Sequence, residues 1–292
     1  MPSLVQQVKG RLSIHVRRRS LALLEGGYAS IHKGRSMDFD DLRDYQAGDD
    51  VRDIDWRAST RHGSMLVRRY VAERHFGLVL VAPGGREMAA VTPAGEAKRD
   101  VAVLGAGVVG WLAVRHGDEV SLVAGAPGAI HATRARATEG HLERLLQEIL
   151  VRSDEDEREG DLPGLLRHVA RHVGGRRILL VLADDGVRAR EVEAVLRSLR
   201  LRHEILWLTV TDADPLALPV GARVRDVGSG RVLPALESAA EVRAAFEGAE
   251  AARRDELDSL LRRLDISSAR VGSRAEVVPA VVRLLERRRR GR

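Results

Sequence analysis

The chain has 292 residues, 44% hydrophobic and 31% charged, and no cysteine. That size supports a full core in one large or two smaller domains, and the cysteine count excludes a disulfide framework, a thiolate metal site and a cysteine nucleophile. The net charge of +6 is nearly all arginine, lysine occurring only at Lys9, Lys33 and Lys98, and because acids are interspersed with the arginines it is not read as a footprint for phosphates.

Aromatic residues make up only 3%, so Val, Leu, Ala and Ile must build the core, with Trp56, Trp111 and Trp207 as its large anchors. The longest apolar run, "DVAVLGAGVVGWLAV", falls short of the roughly 20 residues of a membrane span. No signal peptide is read at the N-terminus, so the expected location is the cytoplasm.

In chain order, Val5, Val8, Leu12 and Val16 recur at helical spacing on a basic background. They predict a helix that either packs on its own domain or faces a partner or an anionic surface. Residues 1–34 are set apart as a basic N-terminal helix and linker. The stretch "DFDDLRDYQAGDDVRDIDWRASTRHG" comes next, from Asp38, with eight aspartates and four arginines around Trp56. Carboxylates this crowded require a counter-cation when buried, and the arginines are at hand. Phe39, Leu42 and Tyr45 share helical spacing, Gly48 permits a turn, and Asp49 and Asp50 can cap the element after it. From Ser64 an antiparallel strand leads to an apolar strand at Gly77–Val81, of the type buried on both faces. Residues 35–75, which carry this signature stretch, are set apart from a main domain at 76–292.

That domain alternates strands and helices: a helix over Ala94–Arg115, the strand "DEVSLVAG", a helix over Glu139–Val151, an acidic loop, and a helix over Leu162–Val173. Then come "RRILLVLADD", "VRAREVEAVLRSL" and "HEILWLTVTD" as strand, helix and strand. The alternation predicts an α/β fold with a parallel sheet covered by helices. "ARVRDVGSGRVLPA" reads as a hairpin, and a long charged helix from Ala239, a short "ISSARV" strand and an arginine-tipped helix complete the chain. "GAGVVG" lies inside an apolar helical pattern, so its glycines are assigned to close helix packing and not to a phosphate cradle.

The acidic stretch closely resembles the signature of the domain-of-unknown-function family fifty-eight. Phe39, Leu42, Arg43, Tyr45, Gly48, Asp49, Asp50, Arg52, Ile54, Asp55, Trp56, Ser59, Arg61, Val67, Arg68 and Glu73 match its pattern. The resemblance implies a von Willebrand factor A-like α/β domain with an N-terminal β elaboration, a MoxR-type AAA+ ATPase as partner, and a short form without the membrane-spanning helices of longer members. In that fold a divalent ion is usually held at the top of the first strand. Here the matching stretch puts Ala82 at the aspartate, Gly84 at the first serine and Arg86 near the second. Asp184 and Asp185 are retained, and Thr133 or Thr138 could supply the threonine. Two ligands are too few for a hard cation, so neither a metal nor any other cofactor is expected. Arg86 is expected either to pair with Asp184 or to stand exposed.

The resulting expectation is a non-enzymatic adaptor for the ATPase. Arg43, Asp49, Asp50, Arg52, Asp55, Arg61 and Arg68 would form an ion network clamping the elaboration to the main domain around Trp56, with exposed members free to contact a partner. Two other readings are a nucleic-acid or anionic-surface binder using the basic termini, including peripheral membrane contact, and a metal-dependent hydrolase using the aspartates.

Overall fold

Runs such as LVLVAP and ILLVLAD are apolar at odd and even positions alike, so a sheet built from them must be covered on both faces. In the computed structural model, which describes residues 3–15, 24–29, 39–46, 48–51, 54–70, 77–126, 128–154, 159–215, 224–227, 231–233 and 240–290, they form such a sheet. Strands β3 (Leu78–Pro83), β4 (Val120–Gly125), β6 (Ile178–Asp184), β7 (Glu204–Val210) and β10 (Ser267–Val271) run parallel. The short β5 (His131–Ala132) pairs antiparallel at one edge, giving the order β10-β7-β6-β3-β4-β5. The expected parallel α/β class is what the chain adopts.

Alternate strand residues feed two cores. Leu78, Leu80 and Ala82 face α1 (Leu4–His15), the helical segment 24–29, α3 (Lys98–Arg115), α4 (Glu139–Val151) and α8 (Arg274–Arg290). Val79 and Val81 face α5 (Leu162–His172), α6 (Ala189–Arg200) and the C-terminal half of α7 (Ala240–Arg263). Helix α3 is apolar all round because it lies between the sheet and the other helices, and its glycines let those neighbours approach. A Cβ at Gly105 would come within 2.4 Å of Leu208, one at Gly107 within 2.5 Å of Val8, and one at Gly110 within 2.6 Å of Leu142.

The N-terminal helix is a component of this body and not a separate linker. Val5, Val8 and Leu12 are buried in the first core, and the Glu143 carboxylate accepts the free N–H groups of Leu4 and Val5 at 3.0 and 2.8 Å. Acceptors for these first N–H groups are what a helix start needs. Lys9 pairs with Glu139 at 2.7 Å, and the Tyr28 hydroxyl donates to buried Asp118. Of the expected hairpin, β8 (Val224–Arg225) and β9 (Val232–Leu233) are antiparallel, and its Gly-Ser-Gly lies outside the described residues. The side chains of the last arginines are likewise outside them.

Between segment 24–29 and β3 the chain builds a small module. Phe39, Leu42 and Tyr45 do not define a helix: Phe39–Asp44 is strand β1, paired antiparallel with β2 (Leu66–Tyr70), and α2 (Trp56–His62) lies between them. Pairing with a distant strand outweighs a short helical spacing, because strand formation depends on cross-strand neighbours more than on local preference.

Candidate functional site

At the C-terminal edge of the sheet, where open parallel sheets usually hold ligands, a lysine is buried among carboxylates. Lys98, the first residue of α3, has a side chain with no exposed surface. Its ammonium donates to Asp184 Oδ1 at the end of β6 and to Asp212 Oδ1 just beyond β7, the latter at 2.6 Å. A cation in the first turn opposes the helix dipole, so these two carboxylates are what keep it there. Burial pulls the Lys98 pKa down, but the charges of Asp184 and Asp212 more than offset it and hold it above its ordinary value. Asp212 is pushed up to about 6, first by burial and then by Asp184, against the attraction of Lys98. One cation between two acids thus leaves a site that takes up a proton readily.

The loop after β3 is closed by backbone. Gly84 N–H donates to Gly125 O at 3.0 Å and Gly85 N–H to Arg152 O at 2.9 Å. A Cβ on Gly85 would meet Gly160 N at 2.6 Å. Glu87 accepts from Gly160 N–H; burial raises its pKa, this bond partly offsets that, and the charges of Asp184 and Glu159 add to the rise. Just past β6, Asp185 is fully buried. Its carboxylate receives Arg270 at 2.7 Å and Arg254 at 3.0 Å, and its carbonyl receives Arg253. These bonds fix α7 and β10 to the end of β6, a structural role for an acid that could otherwise be taken for a ligand.

The ion-site resemblance is met only in part. Ala82 is buried at the end of β3, and Gly84 is packed against backbone. Arg86 is not the partner of Asp184: that place belongs to Lys98, and Asp184 Oδ2 accepts the Gly186 N–H. Arg86 is half-buried, with its Nε shielded from solvent and lacking a hydrogen-bond partner among the described residues. Thr133 bonds to Leu122, and Thr138 caps α4. Among the described residues no three His, Asp or Glu side chains gather as a metal-binding group, and no helix is long and apolar enough to cross a membrane.

The module is organised by short-range bonds. Arg43 forms a two-pronged pair with Asp49 at 2.6 and 2.8 Å, which closes the turn at Gly48, where φ is +113°. Asp55 caps α2 by accepting from Arg57 and Ala58 N–H, and its own N–H reaches Leu66 O. Tyr45 N–H donates to Met65 O. Ile54, Leu66 and Val67 are buried, whereas Trp56 is 61% exposed, and Val51 and Met65 are exposed too. Trp56 is therefore not the apolar anchor expected from the sequence, and the ion pair and cap named above close within the module and do not clamp it to the main domain. Asp50 and Arg61 are exposed; Arg52 and the side chain of Arg68 lie outside the described residues.

The model of the family described as "Protein of unknown function DUF58" matches residues 41–256. The chain belongs to the DUF58 family. Uncharacterized proteins of Mycobacterium tuberculosis (Rv1480) and Mycobacterium bovis (Mb1516) are each 26% identical to it over 285 residues, covering 96% of this chain and 88% of the relative. A solved von Willebrand factor type A structure from Catenulispora acidiphila superposes with a TM-score of 0.43 at 10% identity, over 73% of this chain and 42% of that one.

In this DUF58 chain, sequence reasoning found the signature and Asp184 but missed Lys98 and Asp212. Lys98 and its carboxylates are 86 and 114 residues apart along the chain. The available signal was compositional: Lys98 is one of only three lysines among arginines. An ammonium on a flexible stem fits a narrow gap between two acids better than a planar guanidinium does.

Proposed function

We propose that this DUF58 chain is a non-enzymatic interaction protein that works with a MoxR-type AAA+ ATPase in the assembly or maturation of a client. The observation that carries this reading is the exposure of Trp56, on a module built from the family signature that also exposes Val51 and Met65. A large exposed aromatic on a defined helix is the usual centre of a protein-binding hot spot. The signature resemblance supplies the partner class. The strand-edge cluster is read as a degenerate ion site in which the Lys98 ammonium stands where the resembled fold holds a divalent cation. Its support is the pairing of Lys98 with Asp184 and Asp212.

The test is binding of the purified protein to the MoxR-type ATPase of the same genome, measured by calorimetry with a non-hydrolysed ATP analogue and with ADP. Tighter binding in one nucleotide state is expected, since an adaptor senses nucleotide only through differential affinity. Absence of binding in both states would overturn the reading. For the cluster, a melt in excess Mg²⁺ should match one in chelator, because a ligand of the folded state alone must raise stability.

A further inference from the structure

We propose that the Trp56 surface recognises an acidic, apolar protein segment, its aromatic ring packing on the apolar residues and Arg57 and Arg61 receiving the carboxylates. This rests on the reading of the module as a partner-binding surface and adds the chemistry of what it binds. Arg57 and Arg61 are one turn apart on α2, so their side chains leave the same face, beginning next to Trp56. Both are exposed, and neither guanidinium has a hydrogen-bond or ion-pair partner among the described residues.

The nearby acids are already engaged. Asp44 accepts from the Ser64 hydroxyl, Asp49 is held by Arg43, and Asp55 caps α2. Within the module, then, these acids are committed to its own fold while the two arginines of α2 face solvent. Hydrogen bonding brings the apolar residues together: Asp55 N–H bonds Leu66 O, which sets their chain neighbours Trp56 and Met65 on adjacent stretches of backbone. Exposed Trp56 and Met65 beside two unneutralised guanidinium groups form an apolar centre with a cationic rim, complementary to a segment carrying Leu or Phe next to Glu or Asp. A nucleic acid is the poorer fit, because beyond Trp56 the exposed Val51 and Met65 offer bases no stacking face.

The experiment uses the full chain and three fluorescent amphipathic peptides with one leucine-phenylalanine face and Glu, Gln or Lys at every polar position, read by anisotropy at low and physiological salt. The Glu peptide should bind about tenfold or more tighter than the Lys peptide, with the preference shrinking as salt rises. Arg57→Glu/Arg61→Glu should abolish the preference, and Trp56→Ala should weaken the Glu peptide by about 30-fold, the scale of a hot-spot aromatic. All three side chains are exposed, so both variants should melt like the parent. Equal binding of the three peptides, or a preference that survives the double reversal, overturns the acidic-segment assignment alone. Binding indifferent to Trp56→Ala overturns the module as the contact surface. Tighter binding of a labelled single-stranded oligonucleotide than of the Glu peptide, lost in the same variants, overturns the proposal in favour of nucleic acid.

Discussion

Replacing Lys98 by Met keeps most of the side-chain volume and removes the ammonium, leaving Asp184 and Asp212 facing each other without their cation. Stranding a buried charge typically costs roughly 3–5 kcal/mol. The Asp184 and Asp212 side chains are 20% and 42% exposed, so water can reach them, and a discounted loss of about 2–3 kcal/mol is expected. For a chain of this size that is roughly 3–5 °C in Tm. The pH dependence has a definite sign. Asp212 titrates at about 6 in the fold against an ordinary 3.8, so its proton favours the native state and stability falls as pH rises from about 4 through 6. Without the ammonium Asp212 should bind its proton more tightly still, since Lys98 is what draws its pKa down. The deficit of Lys98→Met should therefore be largest at pH 8 and shrink towards pH 5. Differential scanning calorimetry at the two values reads this directly. Adding Asp184→Asn and Asp212→Asn should restore most of the loss. A variant that melts with the parent at pH 8, or whose deficit is the same at both values, would refute the assignment of Lys98 as the counter-cation.

Gly85→Ala should destabilise by about 1–3 kcal/mol, the range for overpacking, because the new Cβ meets the Gly160 backbone; thermal melts check it. Asp55→Ala removes the α2 cap and should lose about 1 kcal/mol, seen as faster hydrogen exchange at the amides of Arg57 and Ala58 without exchange of the β6 core. For Glu143, burial pushes its pKa up, but N–H bonds from Val5, the Gln147 side chain and Leu4 more than offset this and hold it below its ordinary 4.5. Its hold on α1 should be present above that value and weaken as pH falls through it. Glu143→Gln should speed pepsin cleavage in α1 at pH 5 and show a smaller further increase at pH 4 than the parent does.

Much of the α/β body was legible because its strands are apolar at every position and its helices at every third or fourth, a local pattern that survives without tertiary knowledge. Strand β1 was not, since Phe39, Leu42 and Tyr45 happen to fall at helical intervals and only pairing with β2 decides the matter. The exposure of Trp56 was equally hidden: composition places tryptophan in the core, and Trp207 obeys at 0% exposed. The lysine cluster needed the ends of three separate elements to be brought together, which no short spacing reports.

The module is inserted between two attachments of unequal mechanical strength. On its far side the chain enters β3, an inner strand, hydrogen-bonded along both edges to β4 and β6. On its near side it runs back to segment 24–29 and α1, which are held by apolar contacts and a few polar bonds, those to the Glu143 carboxylate among them. A pull applied at the module meets zipped strands in one direction and sliding helices in the other. Tension entering on the near side would load segment 24–29, with buried Leu24 and Tyr28 and the Tyr28–Asp118 bond, before it reached α1.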